Sequence, residues 1–238
     1  LNRISLIKIS DSQNNSYQVR YEYNIFGNLI SIYDENGKIE YGYSPDQGET
    51  IRNLPNGIKT IFSYSPRGDL ISLKHLDPSN GLLASYRYEY NPPGKISRVF
   101  EETSEGTKIT KFEWDNRGYL KTLHLPDGNS IHYEYDKMGN RISMTDYKET
   151  ISYKYDNFGR LVNAGDTKYE WDDNGNLATQ IDKNSKTRFR YDAQNLPLLV
   201  KTPNETIKYK WDADGNMISR GVGKEIKYYL PNPLAPSG

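Results

Sequence analysis

Aromatic and polar residues alternate along much of the chain in the pattern aromatic-x-aromatic, as in Tyr153-Lys-Tyr155 and Tyr169-Glu-Trp171. In a β-strand, residues i and i+2 point to the same face, so the two rings share one face and the usually polar residue between them points to the other. The pattern therefore predicts strands with one aromatic face and one wet face. No segment has a convincing helical period, so we expect very little helix.

Turn-forming residues follow each aromatic pair at fixed positions. Asp, Asn or Ser comes directly after the second ring, and Gly follows three residues later. The first side chain can accept backbone hydrogen bonds and the Gly supplies a positive φ, which predicts a type I turn closed by a G1 bulge. An apolar residue such as Leu161 or Met217 then begins a returning strand, and dipeptides such as Asn56-Gly57 reverse the chain again.

The motif recurs ten times at intervals of about 21 residues, which identifies a tandem repeat. One copy is irregular because it has an extra residue between Tyr43-Ser44 and Gly48. Another carries Asn195 where Gly is expected, and Asn is the other residue that best tolerates left-handed backbone angles. The turn positions are Gly27, Gly48, Gly68, Gly94, Gly118, Gly139, Gly159, Gly175, Asn195 and Gly215.

We expect the fold to depend on the rings and on the turn residues of these repeats. The Leu, Ile or Met after each turn packs the second strand, and Trp occupies the same position as Tyr in three copies. The positions that we expect to define the repeats are Tyr21, Tyr23, Gly27, Tyr64, Gly68, Tyr90, Gly94, Trp114, Gly118, Tyr135, Asp136, Gly139, Tyr155, Asp156, Gly159, Trp171, Asp172, Gly175, Tyr191, Asn195, Trp211, Asp212 and Gly215.

The predicted fold is all-β: antiparallel hairpins pair side by side into one repeat array over residues 1–238, as a curved sheet. A two-stranded hairpin is marginally stable alone, but neighbouring hairpins can pack ring against ring and satisfy each other's edges. The chain has 21 Tyr against 6 Phe, and its hydrophobic fraction is only 35%. This composition favours a thin sheet over a thick core.

Charge and cysteine content exclude several classes of function. The 31 basic and 31 acidic residues are scattered without a basic stripe, which disfavours a nucleic-acid partner. No apolar run approaches the roughly 18 residues of a membrane span. Without Cys there is no disulfide framework and no thiolate metal site or nucleophile.

Motifs for catalysis or metal binding are weak. His75, His124 and His132 form no HExxH pattern, and no Gly-x-Ser-x-Gly elbow or phosphate-binding Gly loop occurs. The Asp residues coincide with turn positions; Asp172-Asp173-Asn174-Gly175 is a weak calcium candidate. We therefore expect no catalytic residue, no metal site and no cofactor, and a chain that is not itself an enzyme.

These motifs resemble the YD repeat of bacterial Rhs (rearrangement hotspot) proteins and animal teneurins, from about Tyr21 to Gly215. The resemblance implies a β-sheet that spirals into a hollow shell, which in several members encloses a toxin or effector. The segment from Tyr228 to Leu234 resembles the start of a further repeat, so we expect an internal fragment of a longer chain. The aspartyl self-cleavage site of the family is not carried over, because Asp77-Pro78 has no second copy and one residue too many before Gly81.

Two functions remain open at this point. The first is a structural segment of a shell wall in a secreted or cell-surface bacterial protein whose targeting signal lies outside this chain. Its partners would be further repeats of the same chain, an enclosed toxin or effector, and secretion or delivery machinery. The alternative is adhesion through carbohydrate or cell-surface binding, since Tyr and Trp faces also stack on sugars. The occurrence of rings in all ten copies favours the first.

Overall fold

The computed structural model describes residues 3–10, 16–44, 48–92 and 94–229. Over these residues the chain forms 22 β-strands and no helix, which confirms the predicted all-β fold. It contains no helix that could cross a membrane in the described part. The segment that resembles a further repeat begins at Tyr228, and its residues after Tyr229 lie outside the described part.

The chain divides into two compact units, Leu1–Ile131 and His132–Gly238. Strands β1 to β11 belong to the first unit. They are β1 Leu6–Ser10, β2 Ser16–Tyr23, β3 Leu29–Asp34, β4 Gly37–Ser44, β5 Glu49–Asn53, β6 Lys59–Tyr64, β7 Leu70–Leu76, β8 Leu82–Asn91, β9 Lys95–Thr103, β10 Gly106–Trp114 and β11 Leu120–His124.

The second unit contains β13 to β22, and β12 begins two residues before its boundary. These strands are β12 Ser130–Tyr135, β13 Arg141–Thr145, β14 Thr150–Tyr155, β15 Leu161–Ala164, β16 Thr167–Trp171, β17 Leu177–Asp182, β18 Ser185–Tyr191, β19 Pro197–Lys201, β20 Thr206–Trp211, β21 Met217–Val222 and β22 Glu225–Tyr228.

Each strand pairs antiparallel with the next strand along the chain, from β1 to β11 in the first unit. The same order runs from β12 to β22 in the second. Hairpin turns join neighbouring strands, so no crossover connection is needed. Along each unit, the turns that follow an aromatic pair alternate with the turns that reverse the chain again. Each unit is thus a β-meander built from the predicted hairpins.

A bulge follows the aromatic turn in nine of the repeats. In the first of these, Glu22 pairs with Ser31 and Tyr23 pairs with Leu29, so Ile30 lies between two paired positions. Such a bulge bends the strand and increases its local twist. The irregular copy keeps an unshifted register, with Tyr43 opposite Thr50.

Few side chains are deeply buried, as the composition suggests. Val19, Tyr21, Leu29 and Ile207 are the buried hydrophobic residues among those described. Most rings and aliphatic side chains of the strands are only half-buried. The sheet is therefore held by contacts between successive strands more than by a central core.

Candidate functional site

Eight of the ten aromatic turns share one hydrogen-bond pattern. In the turn of Asp156, the amide of Gly159 donates to the carbonyl of Asp156, and the amide of Asp156 donates to the carbonyl of Arg160. This is the arrangement of a type I turn followed by a residue with positive φ. All ten turn positions have positive φ, from 61° at Gly48 to 100° at Gly94, with Asn195 at 62°.

The turn carboxylates also organise the backbone. Oδ1 of Asp172 accepts from the amides of Asn174 and Asn176, and Oδ2 accepts from Nδ2 of Asn176. These bonds favour the ionised form, so the amide of Asn176 holds the pKa of Asp172 below its usual range. Asp136 and Asp212 have lowered pKa values for the same reason, with the Asn140 and Asn216 side chains as the largest causes. Of the oxygens considered for calcium, those of the Asp172 carboxylate are thus engaged within the turn itself.

In seven of the ten pairs, the second ring makes a contact that crosses from one repeat to the one before it. Its edge carries an O–H or N–H that donates to a backbone carbonyl at the start of the preceding repeat's returning strand. The bonds are Tyr43 to Leu29 at 2.7 Å, Tyr90 to Leu70 at 2.6 Å, Trp114 to Ile96 at 2.8 Å, Tyr155 to Arg141 at 2.8 Å, Trp171 to Leu161 at 2.8 Å, Tyr191 to Leu177 at 3.1 Å and Trp211 to Pro197 at 2.6 Å.

Tyr23 makes the equivalent bond to the carbonyl of Ile4, at 3.0 Å. Tyr64 departs from the pattern: its backbone amide donates to the carbonyl of Gly48 at 2.8 Å, in the irregular repeat. We name the set of ring-to-carbonyl bonds between consecutive repeats the ring clasp. The ring clasp explains why Tyr and Trp exchange at this position, since both offer a donor at the ring edge, whereas Phe does not.

Burial of these rings follows the predicted alternation. In β18, Phe189 and Tyr191 are half-buried while Arg188 and Arg190 are exposed. Desolvation raises the pKa of Tyr155 and of Tyr191, as expected for hydroxyls removed from water. The rings therefore pack within the sheet, with their polar edges engaged by neighbouring backbone.

Cations lie over the faces of several rings. The Arg141 guanidinium lies 4.4 Å from the centre of the Tyr153 ring, and the Lys95 ammonium lies 4.7 Å from the Trp114 ring. Each such contact adds about 0.5–1 kcal/mol at an exposed site. Trp114 is both clasped at its edge and covered on one face by a cation, which leaves less of its surface free for a ligand.

The sequence analysis did not identify a set of buried hydroxyl residues. Ser31, Thr122, Thr179 and Ser219 each lie four residues after a turn glycine, and all are less than 9% exposed. Each sits opposite the middle residue of an aromatic pair, and Oγ of Ser31 donates to Glu22 at 2.7 Å. The polar face is therefore drier at these positions than the alternation predicts. The recurrence of Ser or Thr after the turn is the signal that could have shown it.

Histidines and the Asp-Pro pair occupy ordinary structural places. His124 lies between Ser130 Oγ, 2.9 Å from Nδ1, and Glu113 Oε1, 3.1 Å from Nε2. Oδ1 of Asp77 accepts from the amides of Ser79 and Gly81, which places Asp77-Pro78 in a turn. Among the described residues no group of three or more His, Asp or Glu could hold a metal ion.

Residues 89–230, more than half of the chain, match the family model described as Teneurin YD-shell. The chain is 26% identical over 218 residues to the tRNA nuclease WapA of Bacillus subtilis, a match that covers 89% of this chain and 9% of that protein. It is 26% identical over 161 residues to the double-stranded DNA deaminase toxin A of Burkholderia cenocepacia, covering 62% of this chain and 11% of the toxin.

A third relative is mouse Teneurin-3, 24% identical over 187 residues, with 69% of this chain and 7% of the teneurin covered. The chain thus spans about a tenth or less of the length of these relatives. Among solved structures, the crystal structure of TcdB2-TccC3-Cdc42 matches 94% of this chain and 16% of that chain, at 14% identity and a TM-score of 0.47.

Proposed function

Because this chain belongs to the Teneurin YD-shell family, we propose that it is a structural segment of a β-sheet wall in a larger, toxin-carrying protein. The wall would enclose or scaffold a toxin or effector that lies elsewhere in the same protein. Residues 1–238 would form a single repeat array, as an internal part of that longer chain. The array itself would have no catalytic role.

The ring clasp is the observation that best supports this proposal. Every bond of the clasp joins a side chain of one repeat to the backbone of the repeat before it. Such bonds make the stability of each repeat depend on its neighbour, which suits an extended wall. They also engage the O–H or N–H at the edge of these Tyr and Trp rings, which then cannot donate to a sugar hydroxyl.

Two relatives support the toxin-carrying context. One is named a tRNA nuclease and the other a DNA deaminase toxin, and in both the part that matches this chain is about a tenth of the protein. By analogy, the complete protein would be secreted or displayed on the bacterial surface. Its partners would be further repeats, the enclosed cargo and the machinery that delivers it.

Limited proteolysis of the complete natural protein tests enclosure. If the repeats wall in a cargo, the cargo region should resist protease far longer than the same region expressed alone. Trp171→Ala, which breaks the clasp to Leu161, should speed cleavage of the cargo region, whereas Lys137→Gln in an exposed turn should not. Equal cleavage rates for the enclosed and the isolated cargo would contradict the proposal.

A glycan array tests the alternative directly. The 238-residue chain should show no saturable binding to any glycan above background. Strong binding that is lost in Trp171→Ala but kept in Lys137→Gln would instead support carbohydrate recognition. Enclosure and adhesion are thereby separated by independent measurements.

A further inference from the structure

Positive charge is concentrated on one face of three neighbouring strands in the second unit. Arg188 pairs directly with Lys201 across β18 and β19, and Leu199 pairs with Lys208 across β19 and β20. Residues two apart on a strand share a face, so Arg190 and Lys210 lie on this same face. We call these five residues, Arg188, Arg190, Lys201, Lys208 and Lys210, the basic face; all five are exposed.

The cations of the basic face are not paired with carboxylates. Within the described part of the chain, none of its five cations forms an ion pair. One carboxylate, Glu170, lies on the same face at its border, where it pairs with Lys186 at 3.8 Å. Cations elsewhere do bind carboxylates: Arg87 and Arg98 bind Glu89 at 2.6 and 3.4 Å in the first unit, and Lys183 binds Asp166 at 2.6 Å in the second. The chain as a whole is neutral, with 31 basic and 31 acidic residues. The excess of positive charge on this face is therefore local.

This arrangement costs stability in the free protein. Like charges directly opposite each other on neighbouring strands, as at Arg188 and Lys201, destabilise a sheet. An anionic partner would remove the repulsion and replace it with attraction. The basic face is therefore suited to binding a ligand with several negative charges.

The chemistry of the face favours an acidic polypeptide over nucleic acid. The rings of β18 and β20, including Tyr191 and Trp211, alternate with the cations and lie on the opposite face, so bases would find no stacking platform. Next to Lys208 and Lys210 runs a groove of about 350 Å³, also lined by Ser219, Gly221 and Ile226. Small residues opposite these two lysines leave room for an extended backbone.

We propose that the basic face binds an acidic polypeptide segment, whose carboxylates pair with the five cations while its backbone lies along the groove. The segment belongs to a separate protein partner. This inference does not rest on the enclosure of a cargo, because it concerns the charge of one face and not the closure of a wall.

Fluorescence anisotropy with the 238-residue chain tests the proposal. The probe is a labelled peptide of ten Glu residues at about 0.15 M salt, where long-range attraction is largely screened. We expect saturable binding that Arg188→Gln/Lys201→Gln weakens by about fivefold to tenfold. The same double variant should melt no lower than the natural chain, because it relieves a like-charge pair.

Three comparisons make the result decisive. Lys137→Gln/Lys148→Gln removes the same charge from exposed turns of the same unit and should change the affinity by less than twofold. Equal weakening by both double variants would overturn the proposal in favour of a net-charge effect. Equal affinity for a peptide of ten Gln residues would overturn it, as would tighter binding of a single-stranded decanucleotide.

Discussion

At the scale of single residues, the turn positions depend on backbone angle more than on space. Gly159 has φ 75°, and a Cβ added there would meet no atom within 4 Å. Asn195 holds the equivalent position at φ 62°, which shows that a side chain fits when its backbone preference allows it. The sequence identified both positions, because Gly and Asn in the same place of a repeat point to one backbone conformation.

Substitutions at Gly159 should follow this preference. Gly159→Val forces a β-branched residue into the left-handed region and should lower the free energy of unfolding by about 1–2 kcal/mol, whereas Gly159→Asn should cost clearly less. Urea denaturation followed by circular dichroism measures both. Equal losses for Val and Asn would mean that the turn does not require a positive φ.

The turn carboxylates make stability depend on acid. The Asn216 side chain and amide lower the pKa of Asp212 below the unfolded value of about 3.9. A lowered folded pKa contributes stability that is complete above about pH 4 and is lost as pH falls through the folded value. Lowering the pH should therefore destabilise the chain only below about pH 4.

Asp212→Asn tests this contribution. The amide oxygen can still accept from the backbone amides of Asp214 and Asn216, but the charge and the acceptor for the Asn216 side chain are lost. The variant should be less stable than the natural chain at pH 7, and the two should converge as pH falls well below 4. Asp172→Asn should behave alike; a difference that stays constant with pH would contradict the interpretation.

At the scale of strands and hairpins, the sequence predicts more of the turns than of the contacts between repeats. Alternation gave the aromatic strands and the turn residues gave their ends, because both signals are local. The ring clasp depends on which carbonyl faces each ring edge, as when Tyr191 reaches Leu177, and a bulge such as the one at Trp171 shifts that register. The basic face also arises from strand pairing, which places Arg188 directly opposite Lys201 in the sheet.

The clasp can be measured with a single hydroxyl. Tyr155→Phe keeps the ring but removes the bond to the carbonyl of Arg141, so it should lower the free energy of unfolding by about 1 kcal/mol. Tyr169 is the first ring of its pair, and its hydroxyl makes no hydrogen bond to another described residue. Tyr169→Phe should therefore lower the free energy of unfolding by less than half as much as Tyr155→Phe. Equal effects of the two variants would mean that the clasp bond adds nothing to the ring's packing.

At the scale of the whole molecule, repeats that hold one another imply a modular stability. Each strand pairs with its neighbours in sequence, and each ring clasp reaches back by one repeat. Stability then approximates a sum of repeat and nearest-neighbour contributions. An entire repeat could be removed from such an array without disturbing the pairing rules of the others.

Deletion of residues 160–175 tests this modularity. It joins Gly159 to Asn176, recreates the Gly-Asn step of the wild-type turn, and places Tyr155 opposite Leu177 in the role that Trp171 has now. The clasps of Tyr155 to Arg141 and Tyr191 to Leu177 keep their partners, while Trp171 and Leu161 are removed together. We expect a folded β protein with a modestly lower melting temperature by circular dichroism.

Deletion of residues 168–175 alone removes one strand, reverses the direction of all the strands that follow, and should abolish folding of the second unit. Equal damage from both deletions would show that the repeats do not act as separable modules.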